Sequence, residues 1–440
     1  MQTCENLVEG GSVPIVLKAI SRVVQSSSTQ QSGDNRTTTE GPLENISSEI
    51  ILESVENVTL ECLQALVIFS VAEYGSGRLG KFYNLISVCK SSILTVHLRM
   101  SSQLGLRDLV AFHCSNFGMP SMIAPRMLNI PVTIVERESK IRAFWATDSL
   151  DSASTVGVAW HLSVSRPEPF ASVPCDDEIW EYPEPVLAAY PFGTVGTPSS
   201  FSLFVHLATN ELWHVHDHLQ QLYDPTSAEA VCKQQLDCDA HDEFEQMLTI
   251  SSPIYTDLFT SESTTQHHNS MLIHCTVHSA VISLYQRFAI SNEMLTTPNG
   301  AEFRRRAVDR CLTSCDKIAL VIKNANDATL ESTNPHMIYP VFIAARFCFI
   351  YTRAMDLRIH TKIYFLMYAL EKCGRRWPLA QQLHRILERA MAESSMSLAQ
   401  SDPLPAEFWD LQYFALDIHE ALYQCVLQSS QHAYQDRASR

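Results

Sequence analysis

The sequence predicts an all-α protein, and three observations carry that prediction. Apolar residues recur at alternating steps of three and four over long stretches, a run of 27 residues lacks both Gly and Pro, and no strand-like alternation extends beyond a few positions. Glycine makes up only 14 of the 440 residues, too few for a barrel or a turn-dense β architecture, while 46% of the chain is hydrophobic. A chain of this length can bury one large core or two to three ordinary ones.

The elements follow in order. Val13 to Val24 reads as a helix with Pro14 at its start. Gln25 to Pro42 holds no large apolar residue and reads as a solvated loop, 25–42. From Ser48 to Tyr74, the positions Ile51, Val55, Val58, Cys62, Ala65 and Phe69 form one helical face, and the nearly continuous apolar run Leu60 to Val71 is expected to be buried all round. Gly75-x-Gly77-x-x-Gly80 then has the spacing of a phosphate-cradling loop. A dinucleotide site needs a strand before the first Gly and an acid some way beyond it; here the preceding element is too long for a strand, and the first acid is Asp108. A kinase loop needs Val where Phe82 stands. The glycines are therefore read as a helix C-cap and turn. Phe82, Ile86, Cys89, Ile93 and Val96 continue as a second helical face. Met271, Cys275, His278, Ile282 and Tyr285 make another, as do Phe303, Ala307, Cys311, Ser314 and Ile318, and Leu379, Leu383, Ile386 and Ala390 after Pro378. Arg166 to Pro198 (166–198) and Tyr223 to Asp242 (223–242) read as connectors, and no fixed repeat period is visible.

Charge and cysteine usage restrict the function classes. With 48 acidic against 32 basic side chains the net charge is -16, a sign that repels phosphate backbones and disfavours unaided binding to DNA or RNA. Thirteen cysteines, an odd number scattered singly through apolar segments, suit buried reduced thiols better than a disulfide framework. Met1 to Gly11 has neither the basic start nor the apolar run of an export signal, so the sequons at Asn35, Asn45 and Asn57 are read as chance. The most apolar stretch, Met337 to Tyr351, is interrupted by Arg346. The expectation is a soluble intracellular protein without a membrane partner.

Several motifs, in order, resemble one family. "LQALVIFSVAEYGSGRLGKFYNLISVCKSSI" is similar to the long helix, glycine turn and following helix of the regulatory, or middle homology, domain of fungal zinc-cluster transcription factors (the fungal-specific transcription factor domain). "ERESKIRAFWATDSLDSASTVGVAWHLSVS" resembles that family's acid, basic cluster, Phe-Trp and Asp, with Glu138, Arg142, Phe144, Trp145 and Asp151 on those positions. "SVPCDDEIWE" (Ser172 to Glu181) matches the loop that follows, "NPHMIYPVFIAARFCFIY" and "GRRWPLAQQLHRILERA" the closing helices, and "VPIVLKAISRVVQ" an opening one. Ile141 and Ser152 depart from the pattern, since the family's basic cluster is usually continuous and an Arg is common after the Asp. The resemblance implies a large multi-helix regulatory domain over 13–430, between a short remnant at 1–12 and a tail at 431–440. It also implies a nuclear transcriptional regulator. The family's N-terminal six-cysteine zinc cluster finds no counterpart, because only Cys4 precedes Cys62. Such a cluster could be lost, encoded upstream or supplied by a partner chain. DNA is then a partner only indirectly, through a missing zinc-cluster domain or a partner transcription factor, in a homo- or heterodimer and under a small-molecule effector. The alternative is a small-molecule-binding or scaffolding protein that kept the fold without control of DNA.

The physical reading of the central motif is structural. Phe144 and Trp145 anchor a helix in the core, Glu138 and Arg142 support its exposed face one turn apart, and Asp151 either pairs with a nearby base or simply caps or faces solvent. His214, His216 and His218 in "WHVHDHLQQ" include a pair one turn apart but no third metal ligand, so a pH-sensitive, partly exposed helix is the reading there. Cys311 and Cys315 read as small apolar groups on one helical face, and Arg304 to Arg306 as a solvated edge before an import signal. No Gly-x-Ser-x-Gly elbow supports a catalytic triad. No catalytic, cofactor-binding or metal-ligating residue is assigned, no cofactor is expected, and the chain is not read as an enzyme.

Overall fold

The computed structural model describes residues 14–31, 48, 51–53, 59–100, 134–155, 174, 264–290, 300–357, 361–394, 404, 406–409 and 411. Among them there are helices and turns but no strand, which is the all-α class the sequence predicts. The connectors 166–198 and 223–242 lie outside the described residues apart from Pro174, as does the tail 431–440. The chain divides into two compact units within the span read as one domain: 1–74, 78–151 and 162–205 form the first, and 75–77, 152–161 and 206–440 the second.

In the first unit, helix α1 (Ile15–Gln31) opens as Pro14 accepts a hydrogen bond from the Lys18 amide at 3.1 Å. It runs seven residues into the stretch 25–42 that composition assigns to a loop. Ser, Thr and Gln are weaker helix formers than Ala, but none breaks a helix, and within this stretch no Gly or Pro occurs before Gly33. Helix α2 (Leu60–Gly75) also differs from expectation. The face from Ile51 to Phe69 is not one continuous helix, because Thr59 starts a new one: its carbonyl accepts from Leu63 N at 3.1 Å, and its Oγ1 from Cys62 N at 3.2 Å. A Thr that caps in this way satisfies amides that have no partner in the first turn. Nor is Leu60 to Val71 buried all round. Cys62, Ala65, Leu66 and Phe69 are buried, whereas Leu63, Val67, Ile68 and Val71 are half-buried. Ile15, Ala19, Cys62, Ala65, Leu66, Phe69, Leu85 and Cys89 form the core, drawing on α1, α2 and helix α3 (Leu79–Met100). On α3, Phe82, Ile86 and Cys89 have no exposed surface, as the spacing requires.

The glycines do turn a corner. Gly77 has φ +78, and the Arg78 amide reaches back to the Glu73 carbonyl at 3.0 Å, the long bond of a Schellman C-cap. Gly75 is needed for a different reason. A Cβ there would stand 2.3 Å from Cε3 of Trp377, a buried indole fixed by its Nε1 donating to the Thr333 carbonyl at 3.0 Å. Around Gly80 a Cβ would meet nothing within 4 Å.

In the second unit, helix α5 (Thr264–Ile290) packs along α6 (Gly300–Asn324) and against α8 (Ile338–Ala354). Between α6 and α8 lie the short α7 (Asp327–Glu331) and a 3-10 turn (Pro335–Met337), opened by side-chain caps from Asn326 and Asn334. Helices α9 (Thr361–Gly374) and α10 (Pro378–Ser394) pack on α8 and on each other, and α11 (Ala406–Trp409) closes the described chain. The faces read from spacing on α6 and α10 are buried throughout. On α5 the burial is broader than one face and takes in Ser270, Thr276, Ser279 and Ser283, whose hydroxyls, from Thr276 onward, bond back to helix carbonyls. The stretch Pro335–Ala354 is long and apolar enough to cross a membrane by composition, and 83% of its most apolar 18-residue window is buried inside the protein. Fourteen of the 17 residues of α8 are buried, Arg346 among them, so it is a core helix with a charge at its centre.

Two predictions follow from this packing. In urea titrations followed by circular dichroism, Gly77→Ala should cost about 1–2 kcal/mol through left-handed backbone strain. Gly75→Ala should cost about 1–3 kcal/mol by overpacking, and Gly80→Ala should gain up to about 1 kcal/mol. The second concerns acid. Burial depresses His336 to a pKa of about 3 and His278 to about 4, the latter with help from His274 and Lys317. The folded form keeps both neutral while the unfolded chain takes up protons below about pH 6.5, so stability is full above that pH and falls as the pH drops towards 4. His336→Gln should flatten the slope of unfolding free energy against pH in that window.

Candidate functional site

The motif that carries the family resemblance lies on helix α4 (Ile134–Thr155). Phe144 and Trp145 are both buried, with ring centroids 4.9 Å apart at 84°. Glu138 and Arg142 do pair, Arg142 Nε donating to Glu138 Oε1 at 3.0 Å, but not on an exposed face: Glu138 is only 5% accessible. Ile141, which interrupts the expected basic cluster, is buried as well, and an apolar side chain is what such a position takes without a counter-charge. Lys140 is partly buried, and that burial lowers its pKa against the pull of Glu136.

Asp151 resolves in favour of pairing. It is 1% exposed and accepts a hydrogen bond from Lys90 Nζ on α3; Asp148 Oδ1 stands 3.6 Å from the same nitrogen. Lys90 is missed by a reading of motifs, although a signal existed. It is the sole Lys, Arg, Asp or Glu between Lys81 and Arg99, and it lies four residues after the core position Ile86. A lysine on the buried side of a helix needs an acid, and 75–107 contains none. Asp148 and Asp151, three apart, share the face of α4 that supplies it.

A neighbouring face of α4 does something else. Ser139, Arg142, Ala143 and Ala146 line an open groove of about 440 Å³, with Gln64, Val67 and Ile68 of α2 and Val16 of α1 as its other walls. The half-buried side of α2 therefore faces a space within the range of small-molecule sites. Its walls are mainly aliphatic, and Gln64, Ser139 and Arg142 offer hydrogen bonds to an otherwise apolar guest. Arg142 is held in place by Glu138.

The remaining candidates do not gather into chemistry. Cys311 and Cys315 are fully buried, their Sγ atoms near the Ile282 and Ala344 carbonyls, and burial raises both thiols well above their ordinary value. All seven described cysteines are free and buried, and structural thiols buried in apolar surroundings are chemically inert. Arg304 donates to the Ala289 carbonyl, while Arg305 and Arg306 are exposed, as a solvated edge. Among the described residues no group of three His, Cys, Asp or Glu is placed to hold a metal ion. His214, His216 and His218 lie outside the described residues, as does the loop 172–181 except for buried Pro174.

The ion cluster generates a sharp prediction. Lys90→Met leaves two carboxylates in the core and should cost about 3–5 kcal/mol. Asp151→Asn leaves Lys90 its second acid and should cost less. Chemical denaturation of the two variants checks the order; an equal or inverted effect would refute the shared-lysine arrangement.

Over 344 residues the chain is 26% identical to the Notoamide biosynthesis cluster transcriptional coactivator notQ' of Aspergillus versicolor, an alignment covering 76% of this chain and 64% of that protein. The chain thus spans less than two thirds of its relative's length. No protein-family profile and no solved structure matches it. What the chain is similar to, then, is a fungal protein named as a transcriptional coactivator.

Proposed function

We propose that this protein is a fungal transcriptional regulator: a helical regulatory module of the zinc-cluster transcription factor type, working in the nucleus through a DNA-binding partner. The observation that carries the reading is the similarity over 344 residues to a protein named as a transcriptional coactivator. The net charge of -16 supports an indirect route to DNA, since this chain as a whole repels phosphate. Held on a partner, the module gains a high effective concentration at promoters without contacts of its own. The groove between α1, α2 and α4 is the natural place for a small, largely apolar effector with one or two polar groups.

Deletion of the gene should change the abundance of a defined set of transcripts, restored by the full chain. In titrations against the promoters of those genes at about 0.15 M salt, the purified chain alone should show no saturable sub-micromolar binding to a single sequence. Unchanged transcripts would overturn the regulator reading; tight sequence-specific binding by the chain alone would overturn the indirect route.

A further inference from the structure

Helices α9 and α10 turn an unusual set of side chains outward. On α9, Tyr364 is 54% exposed, Phe365 47% and Tyr368 41%. Three large aromatic rings within five residues, left in water, form an apolar patch of the kind that marks an interaction site. Beside them runs an open groove of about 500 Å³, lined by Tyr364, Met367, Tyr368, Glu371, His384, Glu388 and Met391.

Those residues fall at 364, 367, 368 and 371 on one helix and 384, 388 and 391 on the other. The first set falls at i, i+3, i+4 and i+7 and the second at i, i+4 and i+7, each a ridge about two turns long. Two such ridges side by side make a trough that accepts a third helix along its apolar face. Tyr and Met are over-represented where proteins meet, and the two methionines give the floor a pliable surface.

Charge selects the occupant. The lining holds two carboxylates, Glu371 and Glu388, and no Lys or Arg. His384 lies 3.5 Å from Glu388. Lys372, next to Glu371 in the sequence, is committed to Asp327 at 2.7 Å, an acid that also accepts from the Tyr368 hydroxyl at 2.6 Å, so that pair is neutral overall. A second copy presenting the same groove would bring the same two acids and no counter-charge. We propose that the α9–α10 groove docks a cationic amphipathic helix of another protein, with apolar anchors seated between Tyr364, Tyr368 and the methionines and Lys or Arg side chains against Glu371 and Glu388. This goes beyond the regulatory reading and does not depend on it.

The test is a titration of the full chain with a fluorescein-labelled Leu/Lys amphipathic helix of about five turns and with its Leu/Glu counterpart. The cationic peptide should bind saturably, and the anionic one should not. The double variant Glu371→Lys and Glu388→Lys should weaken the cationic peptide at least about tenfold and bind the anionic one instead. That gain cannot come from misfolding. Tyr364→Ala with Tyr368→Ala should weaken the cationic peptide without inviting the other. Equal binding of both peptides, or no change on charge reversal, overturns the proposal. So does a concentration-dependent dimer in sedimentation that the charge-reversed chain no longer forms. None of these outcomes bears on the transcript measurements, so the two readings fail separately.

Discussion

Arg346 keeps a full positive charge where no surface is exposed, and its guanidinium is committed to the carbonyl of Phe408, with Nε at 3.0 Å and Nη2 at 2.7 Å. The second unit is arranged around that bond. Without it the charge would lie in the middle of a helix buried on nearly all sides, at a cost of several kcal/mol. With it, α8 can be apolar from Ile338 to Ile350, and α5, α6, α9 and α10 can all pack against it. The partner is a backbone carbonyl, so what the bond fixes is a path of the chain more than an identity at 408. The Phe408 ring, 5.4 Å under the same guanidinium, and Arg353 over Trp409 at 4.1 Å hold that short C-terminal segment in place.

The first unit meets a similar difficulty differently. Lys90 also interrupts an apolar helix, but carboxylates answer it, and they come from another helix, Asp151 standing 61 residues along the chain. Such a cluster contributes little net stability over a well-packed apolar one, because desolvation offsets most of the attraction. It does set register. Sliding α4 by one turn against α3 would leave two acids and a lysine buried apart. The alanines and Arg142 on the neighbouring face of α4 then line the groove in the same relation to α2 in every molecule. Position is thus the ion cluster's contribution to any ligand chemistry there.

Much of this was legible in the sequence, and the failures have physical causes. Spacing of three and four located the buried faces of α3, α6 and α10 because amphipathic helices write their orientation into the chain. It failed at Thr59, where the period runs through a helix break without a change of phase and only a side-chain cap reveals the interruption. It failed again at 25–31, since polar composition reports solvation and not backbone conformation. Buried charges were the least visible. Glu138 looked like an exposed partner because an i,i+4 pair carries no record of which side of the helix faces water, and the partner of Asp151 lay far away in sequence. The exposed aromatics of α9 were invisible for the opposite reason: Tyr364 and Tyr368 look like core residues until neighbours are known.

The two grooves differ in a way that constrains how a regulator of this kind could operate. One is mainly aliphatic, with a single held arginine, and shares α4 with the internal ion cluster. The other is aromatic at its rim, acidic and built on the outer face of α9 and α10. An acidic trough competes with DNA for cationic segments, since both offer negative charge to the same side chains. A helix docked there therefore cannot at the same moment be the one that reads a major groove. On the proposed docking, a partner that brought this chain to a promoter through this groove would need at least two basic elements, one for phosphate and one for this surface. A partner with one would be held off DNA by the same contact, so the number of its basic helices decides whether docking activates or sequesters it.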